Sequence, residues 1–343
     1  MRQVAIVGAG VAGAGAAYAL RDTAAVTVFE KRRSVSGRTA TRKRHGCRYD
    51  HGANYFKDED SEVAELVTET LDTDGLVDID APVWTFDGAG EISEGHDTDE
   101  HKWTYRGGIS QLVERLFERT NVSVETDTRV GAIERTDGWR LEDTDGHDLG
   151  SYDALVLTPP APQTADLLAR TEWTEDLKGD LEDAIRTVPF RTTVSIVLHY
   201  PFELDRPYYA LVNTDKNHDV GWLSREDCKP GHVPAGESLL VVQMSSEWSN
   251  ARYNEPPEAV ADAAAETTAT LLDDDRLAAP DWTDCQGWRL AQPESGVDSG
   301  VLARAKNFGL FFAGDWVVGE GRVHLALRSG LDVGERIIDG LSL

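Results

Sequence analysis

The chain has 343 residues, a formal net charge of −27 and an isoelectric point near 4.6. So acidic a surface repels nucleic acid and anionic lipid, and no apolar run approaches the roughly 18 residues that a membrane-spanning helix needs. We therefore exclude those partners, and the length suits two modest domains or one elaborated domain.

The acidic residues are spread along the whole chain, and only eight of the 34 basic residues are lysine. A carboxylate-rich, lysine-poor surface is typical of proteins that stay soluble in concentrated salt, where self-repulsion is screened. We therefore expect a cytoplasmic protein from a halophile, with an ordinary acidic protein as the alternative. Cys47, Cys228 and Cys285 form no C-x-x-C pair, so we predict neither a disulfide framework nor a metal site, and we expect a reducing compartment.

The N-terminal stretch predicts a nucleotide site. Residues 4–7 form a β-branched apolar run, typical of a strand buried on both faces, and G-x-G-x-x-G follows at once. Gly8 permits a tight turn, Gly10 lets the backbone approach a pyrophosphate, and Gly13 lets the next helix lie close to the strand. The Ala-rich helix expected at 12–20 then offers its first N–H groups to the phosphates.

A second predicted strand, residues 26–29, ends in Glu30, seventeen residues beyond Gly13. A carboxylate there can accept hydrogen bonds from both hydroxyls of an adenosine ribose, so the site favours an adenine dinucleotide without a 2′-phosphate. Strand, glycines, helix, second strand and acid in this order are more specific than a glycine motif alone. The alternatives are a core helix, which is compatible with this interpretation, and a secretory signal, which would leave Glu30 unexplained.

Ser36-Gly37-Arg38-Thr39 begins six residues after Glu30, and here the sequence resembles the flavin-dependent amine oxidase superfamily. Members carry an acid, a short spacer and Gly-Gly-Arg plus a small residue, and the Arg and its neighbour approach the FAD diphosphate. Ser36 stands where the first glycine usually stands. The resemblance implies FAD as the cofactor, whereas Arg38 taken alone would be a solvated surface arginine.

The segment Asp50-His51-Gly52-Ala53-Asn54-Tyr55-Phe56 resembles the renalase-like branch of this superfamily, in which the loop passes beside the flavin ring. Gly52 and Ala53 would let the backbone reach the ring closely, since larger side chains would collide with it. Asn54 and Tyr55 would then face the cofactor. Without the earlier motifs, this segment would be only a glycine turn after a strand.

Periodicity predicts the middle of the chain. Helices are expected at 61–71 and after Ser110, a plausible N-cap, and a strand is expected at 83–86. Residues 122–125, 129–134 and 138–141 are expected to form a meander, closed by a strand at 152–158. By resemblance, Val130 lies where main chain reaches the adenine and Thr158 lies where the chain crosses next to the flavin; by sequence alone Val130 is a core residue.

Alternating residues at 190–200, further strands at 208–212, 220–223 and 239–244, and a helix at 256–272 predict an antiparallel second domain. Aromatic residues there are candidates for the walls of a flat substrate pocket, although we expect at most two to serve and the rest to be core. They are Tyr208, Tyr209, Trp222, Trp248 and Trp288. We expect His199 to be a half-exposed strand histidine.

The C-terminal part carries three further motifs. Trp288-Arg289-x-Ala-x-Pro resembles a renalase-like run that reaches the re-face of the flavin, although a packed Trp and a surface Arg is an equal alternative. The strand predicted at 310–313 ends in Gly314-Asp315, an acid that in many FAD proteins holds the ribityl chain. Residues 319–329 resemble the family's segment in which a helix N-terminus, here at Arg322-Val323, points at the flavin O2 and N1 edge.

We therefore predict an α/β fold with a Rossmann-like FAD-binding domain and a second, mostly antiparallel α+β substrate domain. The first would comprise residues 1–59, 104–160 and 286–343, and the second residues 60–103 and 161–285. The residues expected to contact FAD are Gly8, Gly10, Val11, Ala12, Gly13, Glu30, Lys31, Gly37, Arg38, Thr39, Gly52, Ala53, Asn54, Tyr55, Val130, Thr158, Gly314, Asp315, Arg322 and Val323. The substrate-side candidates are Trp288, Arg289 and Tyr55.

By resemblance the protein is a renalase-like, FAD-dependent oxidoreductase that passes hydride from a small amine or a dihydronicotinamide to flavin N5, with reoxidation by oxygen. No catalytic triad is nominated, because flavin chemistry of this type needs none. A carotenoid-desaturase-like enzyme, an NAD-linked dehydrogenase and a non-enzymatic FAD-binding protein are the alternatives. An NAD-linked dehydrogenase would give no function to Arg38, Gly314 and Asp315.

Overall fold

The computed structural model describes residues 1–95 and 100–340. Two short parts of the predicted domain ranges, residues 96–99 and 341–343, lie outside the described residues. No helix in the described residues is long and apolar enough to cross a membrane. The strands are β1 (Arg2–Val7), β2 (Ala24–Phe29), β3 (Thr41–Arg44), β4 (Cys47–Asp50), β5 (Leu76–Asp78), β6 (Val83–Phe86), β7 (Ile92–Ser93), β8 (Trp103–Tyr105), β9 (Ser123–Glu125), β10 (Val130–Arg135), β11 (Trp139–Asp143), β12 (Asp148–Tyr152), β13 (Ala154–Leu157), β14 (Phe190–Tyr200), β15 (Ala210–Asn213), β16 (Val220–Arg225), β17 (Ser238–Met244), β18 (Trp282–Pro293) and β19 (Leu310–Phe312).

The helices are α1 (Val11–Leu20), α2 (Ser61–Glu65), α3 (Gln111–Glu118), α4 (Ala161–Ala169), α5 (Leu177–Arg186), α6 (Ser246–Arg252), α7 (Pro257–Leu272), α8 (Ser299–Ala305), α9 (Asp315–Val318) and α10 (Val323–Asp339). A π-helical turn over Leu66–Thr70 continues α2, which gives the helix predicted at 61–71. Ser110 precedes α3, but its backbone is already helical and its hydroxyl donates to Glu114 instead of capping the helix.

A parallel sheet with the strand order β19-β13-β1-β2-β9 forms the nucleotide-binding half. Its register aligns Val4 with both Val26 and Ala154, and Leu157 with Phe312. The central strands are apolar on both faces because helices cover the sheet, as parallel sheets require. The carboxyl ends of β1, β2, β13 and β19 therefore lie at one edge, where open α/β sheets bind ligands.

The predicted meander is wrong at both ends. β9 pairs in parallel with β2 and belongs to the parallel sheet, while the meander consists of β10, β11 and β12. The strand predicted at 152–158 is divided between β12, which ends at Tyr152, and β13. β9 lies at the sheet edge, and its residues Ser123 and Glu125 are exposed. Its alternation of exposed and partly buried residues is the same as that of an antiparallel strand, so the pattern did not distinguish the two pairings.

A mostly antiparallel sheet with the order β18-β14-β17-β16-β15-β6-β7 forms the second half, as predicted. Only the pairing of β6 with β15 is parallel among the neighbouring pairs described. The proposed domain boundary between residues 285 and 286 falls inside β18, which pairs with β14 from Trp282 to Pro293. The division into domains thus stays a prediction.

Close packing between α1 and α10 explains why α1 is rich in alanine and glycine. A Cβ at Gly15 would lie 2.8 Å from the Leu327 carbonyl oxygen, and a Cβ at Gly330 would lie 2.1 Å from the Ala12 carbonyl oxygen. Small residues on both helices let the two backbones approach until they touch. This contact fixes the C-terminal helix beside the N-terminal glycine loop.

We expect Gly330→Ala to lower the free energy of unfolding by about 1–3 kcal/mol, because the added methyl group overpacks the contact between α1 and α10. Gly179→Ala is the matched control. Gly179 is exposed in α5, and its Cβ would meet no atom within 4 Å, so alanine should raise stability by about 0.5–1 kcal/mol through helix propensity. Denaturant unfolding of both variants tests this, and equal effects would contradict the packing argument.

Candidate functional site

The glycine loop after β1 has the geometry that its motif predicts. Gly8 has φ +103°, and a Cβ there would lie 2.4 Å from the Thr158 hydroxyl. A Cβ at Gly13 would lie 2.0 Å from the Gly8 carbonyl oxygen, whereas one at Gly10 would meet no described atom within 4 Å. No side chain in the described residues caps α1 at Gly10, so the first N–H groups are available to a phosphate.

Glu30 is held firmly at the end of β2. One carboxylate oxygen accepts from the Ala9 N–H at 2.9 Å and the other from the Arg32 N–H at 2.9 Å. Each oxygen keeps a second lone pair, so the carboxylate can still accept from ribose hydroxyls. The Thr128 N–H donates to the Glu30 carbonyl oxygen at 2.9 Å, which brings the start of β10, with buried Val130, beside this acid.

The turn that follows is locked against the glycine loop. The Ser36 N–H donates to the Ala9 carbonyl oxygen at 2.9 Å, and the Thr39 hydroxyl donates to the Ser36 carbonyl oxygen at 2.6 Å. Gly37 packs on Gly10, where its Cβ would lie 3.3 Å from the Gly10 Cα. Ser36 has φ +98°, a conformation suited to glycine, so a serine here stores strain.

Arg38 and Asp315 form a two-point ion pair between the N-terminal and C-terminal motifs. Both guanidinium nitrogens donate to the carboxylate oxygens at 2.7 Å, and one also donates to the Ala291 carbonyl oxygen at 3.0 Å. Asp315 is buried, and Gly314 before it has φ +143°. Planar bidentate pairs of this kind are strong and geometrically specific. Two predicted cofactor residues are therefore brought together.

The loop after β4 packs on Arg38, and the reason for its glycine differs from our expectation. A Cβ at Gly52 would lie 2.0 Å from the Arg38 carbonyl oxygen, so the backbone contact alone requires glycine. The Ala53 N–H donates to the same oxygen at 3.0 Å, and the Gln243 amide donates to the Gly52 carbonyl oxygen at 2.6 Å. The Asn54 amide donates to the Asp50 carbonyl oxygen at 2.7 Å, within the loop itself.

Tyr55, Tyr209 and Trp222, here called the aromatic trio, meet where this loop contacts the antiparallel sheet. Their ring centroids are separated by 6.1 to 6.4 Å. The Tyr209 hydroxyl and the Trp222 Nε1 are buried and have no hydrogen-bond partner in the described residues. Burial raises the pKa of Tyr55, and the Lys57 and Arg322 charges act in the opposite sense. Of the trio, Tyr55 therefore lies near the charged side chain of Arg322, the residue that precedes α10.

Trp288 and Arg289 do not lie together. Trp288 is buried against Gly52, and its indole N–H donates to the His51 carbonyl oxygen at 2.9 Å. Arg289 is exposed on the other face of β18 and lies over the Tyr253 ring at 4.1 Å. Successive residues of a strand point to opposite faces, so the structure separates Arg289 from Trp288, and a substrate-side role for Arg289 stays a prediction.

The remaining aromatic candidates are core residues. Tyr208 and Trp248 belong to the cluster between the antiparallel sheet and α7. His199 is buried, contrary to our expectation of a half-exposed histidine, because Trp282 stacks on its ring at 5.0 Å. Lys31 is exposed and donates to Gln163 at 2.9 Å.

At the start of α10, no side chain in the described residues caps the helix at Arg322. Arg322 pairs with Glu320 at 3.2 Å, and Val323 is the first helical residue. His324 is buried in the first turn, where burial lowers its pKa despite Glu59 at 3.6 Å. The helix N-terminus therefore keeps its N–H donors and its positive dipole for an electron-rich ring.

A buried cluster of charged side chains packs against the loop after β4, and the sequence did not reveal it. Lys229 lies 2.8 Å from both Asp50 and Glu226, the His232 Nδ1 lies 2.8 Å from Glu226, and all of these side chains are fully buried. Burial alone would raise the pKa of Asp50, but the charges of Lys229 and His232 and hydrogen bonds from Lys229 and Thr41 lower it. The ammonium group also lies 5.8 Å from the Tyr209 ring.

Comparisons with known proteins agree with this geometry. Residues 82–338 match the family of flavin-containing amine oxidoreductases, and residues 6–70 match an NAD(P)-binding Rossmann-like domain. The structure is similar to cyclohexylamine oxidase from Brevibacterium oxydans IH-35A, with a TM-score of 0.75, 17% identity and 100% coverage of both chains. It is also similar to a presumed protoporphyrinogen oxidase from Exiguobacterium sp. 255-15, with a TM-score of 0.76, 15% identity and 98% coverage of both chains.

A structure of putrescine oxidase bound to putrescine has a TM-score of 0.69 at 14% identity, and the match covers 98% of this chain and 99% of that chain. At such identities the likeness shows the fold. The family match spans most of the sequence, so the chain belongs to the family of flavin-containing amine oxidoreductases. It is an FAD-dependent oxidoreductase, with the predicted Rossmann-like fold and cofactor.

We expect Ser36→Gly to raise the free energy of unfolding by about 1 kcal/mol, since glycine adopts φ +98° without strain. Ser34→Gly is the control, because Ser34 is exposed and lies outside the positive-φ positions of the described residues. There, the added chain entropy should lower stability by up to about 1 kcal/mol. If Ser36→Gly destabilised the protein as much as Ser34→Gly, the turn would not be strained.

We expect Lys229→Met to lower the free energy of unfolding by about 3–5 kcal/mol at neutral pH, since it removes the ammonium group that lies against both buried carboxylates. Burial then raises the pKa of Asp50, so protonation relieves the penalty. The difference from wild type should shrink as the pH falls toward about 4. Lys178→Met, at an exposed ammonium that donates to the Ala169 carbonyl oxygen, should change stability by less than about 0.5 kcal/mol. A pH-independent loss in Lys229→Met would contradict this account.

Proposed function

We propose that this enzyme oxidises a small amine whose apolar part lies against the aromatic trio of Tyr55, Tyr209 and Trp222. The observation that carries the proposal is the position of the trio, immediately after the loop that packs on Arg38 and Trp288. The glycine loop, Glu30 and the Arg38–Asp315 pair would hold FAD, which when bound would supply the two-electron redox chemistry of amine oxidation, with oxygen as the final electron acceptor. The chain's own residues orient the substrate and exclude water.

The chemistry of the trio supports an amine. Aromatic faces attract an ammonium group, and the strongly acidic chain draws cations toward itself. The buried Tyr209 hydroxyl has no partner in the described residues, so its oxygen can accept a hydrogen bond from an ammonium group, whereas the Trp222 indole N–H can only donate to an acceptor elsewhere in a substrate. The amine oxidases among the similar structures act on substrates of this class, as their names state.

A renalase-like oxidation of misreduced dihydronicotinamides is the second candidate. The segment from Asp50 to Phe56 and the Trp288-Arg289-x-Ala-x-Pro run favour it, and a flat dihydropyridine ring also suits the aromatic trio. The negative charge of a nicotinamide dinucleotide opposes it, because the chain carries a formal charge of −27. We therefore place the amine first.

The direct test is an anaerobic titration of the FAD-loaded protein with a series of primary amines and with isomeric dihydronicotinamides. We expect amines to bleach the flavin absorption, and we expect air to restore the colour with release of peroxide. Bleaching by dihydronicotinamides alone would favour the second candidate. If neither class bleached the flavin, both proposals would fail.

We expect Trp222→Leu to lower kcat/KM for the best amine about tenfold, equivalent to about 1.4 kcal/mol, through loss of an aromatic wall. FAD content should not change. Trp84→Leu is the matched control, because Trp84 packs against Tyr208 on the α7 side of the same sheet. Steady-state kinetics on both variants test this, and equal losses would argue for a general effect on the sheet.

We also propose that the protein works in the cytoplasm of a halophile. Carboxylates outnumber basic groups by 61 to 34, and such a surface repels itself unless concentrated salt screens it. Dialysis into low salt should therefore unfold the protein, whereas an ordinary acidic protein would keep its circular dichroism spectrum.

A further inference from the structure

A cluster of three potential metal ligands lies apart from the cofactor loops, where β4 contacts the antiparallel sheet. The Cys47 Sγ, a ring nitrogen of His199 and a carboxylate oxygen of Glu237 all lie within 4.8 Å of one another. Cys47 comes from β4, His199 from β14, and Glu237 from the turn before β17. These positions are far apart in sequence, so no ligand spacing revealed the cluster.

We propose that Cys47, His199 and Glu237 bind one zinc ion, with water as the fourth ligand. Sulfur, imidazole nitrogen and carboxylate oxygen are the ligand atoms that Zn²⁺ takes in proteins. Bond lengths of about 2.0–2.3 Å place tetrahedral ligand atoms roughly 3–4 Å apart. The observed cluster therefore reaches that geometry by small side-chain movements. The site is independent of the proposed amine substrate.

The charges balance at this site. A thiolate and a carboxylate carry two negative charges, and neutral imidazole adds none, so the three ligands neutralise a divalent cation. Without metal, burial and then the Glu237 charge raise the pKa of the Cys47 thiol to about 11, so the thiol keeps its proton at neutral pH. Metal binding forms the Zn–S bond and releases this proton to solvent.

The surroundings of His199 have the features of a metal-bound histidine. The ring is buried, and Trp282 stacks on it at 5.0 Å with an interplanar angle of 11°. The Nε2 lies 2.9 Å from Glu237, and the Nδ1 lies 3.5 Å from an Asp281 oxygen without forming a hydrogen bond to any described residue. In metal sites the second ring nitrogen commonly donates to a carboxylate that orients the imidazole, and Asp281 lies close enough to take that place after a small movement.

The ion would connect the two halves of the molecule. Cys47 is three residues before Asp50, which leads into the loop from Gly52 to Tyr55, whereas His199 belongs to the antiparallel sheet. Glu237 is partly exposed, which leaves a path for the ion to enter. The expected role is to hold the β4 hairpin against the sheet, and no redox step involves the ion.

The experiment is a Co²⁺ titration of the FAD-loaded, chelator-dialysed protein, recorded as difference spectra, with Zn²⁺ as the competitor. We expect one equivalent to bind, with a thiolate-to-cobalt charge-transfer band that Zn²⁺ removes. Cys47→Ser should abolish the band. Cys285→Ser is the matched control, because Cys285 is also partly buried and its thiol pKa is likewise raised to about 11; it should keep both the band and the stoichiometry.

Glu237→Gln provides a second variant, since a partly exposed side chain at the end of a turn tolerates this change without loss of the fold. We expect its affinity for Co²⁺ to fall at least tenfold while its FAD content stays at the wild-type level. Absence of stoichiometric binding to the wild type, or a band that survives in Cys47→Ser, would overturn the proposal. Equal affinity in Glu237→Gln would remove the carboxylate from the ligand set and contradict the site as proposed.

Discussion

The ion pair between Arg38 and Asp315 is the interaction on which the rest of the site depends. It joins the turn after β2 to the end of β19, and a third hydrogen bond from Arg38 reaches the carbonyl oxygen of Ala291 in β18. Neither segment has a reason to approach the other from local structure alone. The order of the parallel sheet places both segments at its carboxyl edge, and the pair holds them in contact there, beside the glycine loop and Glu30.

Arg38 also positions the loop on the substrate side of the site. The Arg38 carbonyl oxygen is so close to Gly52 that no side chain fits there, and the loop continues directly to Tyr55. Beneath it, the single positive charge of Lys229 lies between the buried carboxylates of Asp50 and Glu226, and His232 lies beside Glu226. Removing one partner from such a buried network is strongly destabilising, so the network resists rearrangement of the loop. The position of the aromatic trio follows from the position of this loop, which carries Tyr55.

Sequence alone predicted the parts that depend on local geometry. Gly8, Gly10 and Gly13, the acid after β2 and the Gly-Asp pair after β19 follow from what a strand, a tight turn and a helix start require. It could not predict Lys229, since a lone lysine before Pro-Gly has no periodicity, nor the parallel pairing of β9, whose alternation fits either sheet. Nor could it show that Trp288 and Arg289 face opposite sides of β18, because a motif gives neighbours in sequence and not the face that each side chain occupies.

The central claim, that Arg38 and Asp315 together form one FAD site from the two ends of the chain, is tested by the FAD dissociation constant. Apoprotein in concentrated salt should be titrated with FAD for wild type, Arg38→Gln, Asp315→Asn and the double variant. We predict that each single variant loses at least tenfold in FAD affinity, about 1.4 kcal/mol. The loss of affinity in the double variant should be much smaller than the product of the two single losses. Wild-type affinity in either single variant would contradict the account.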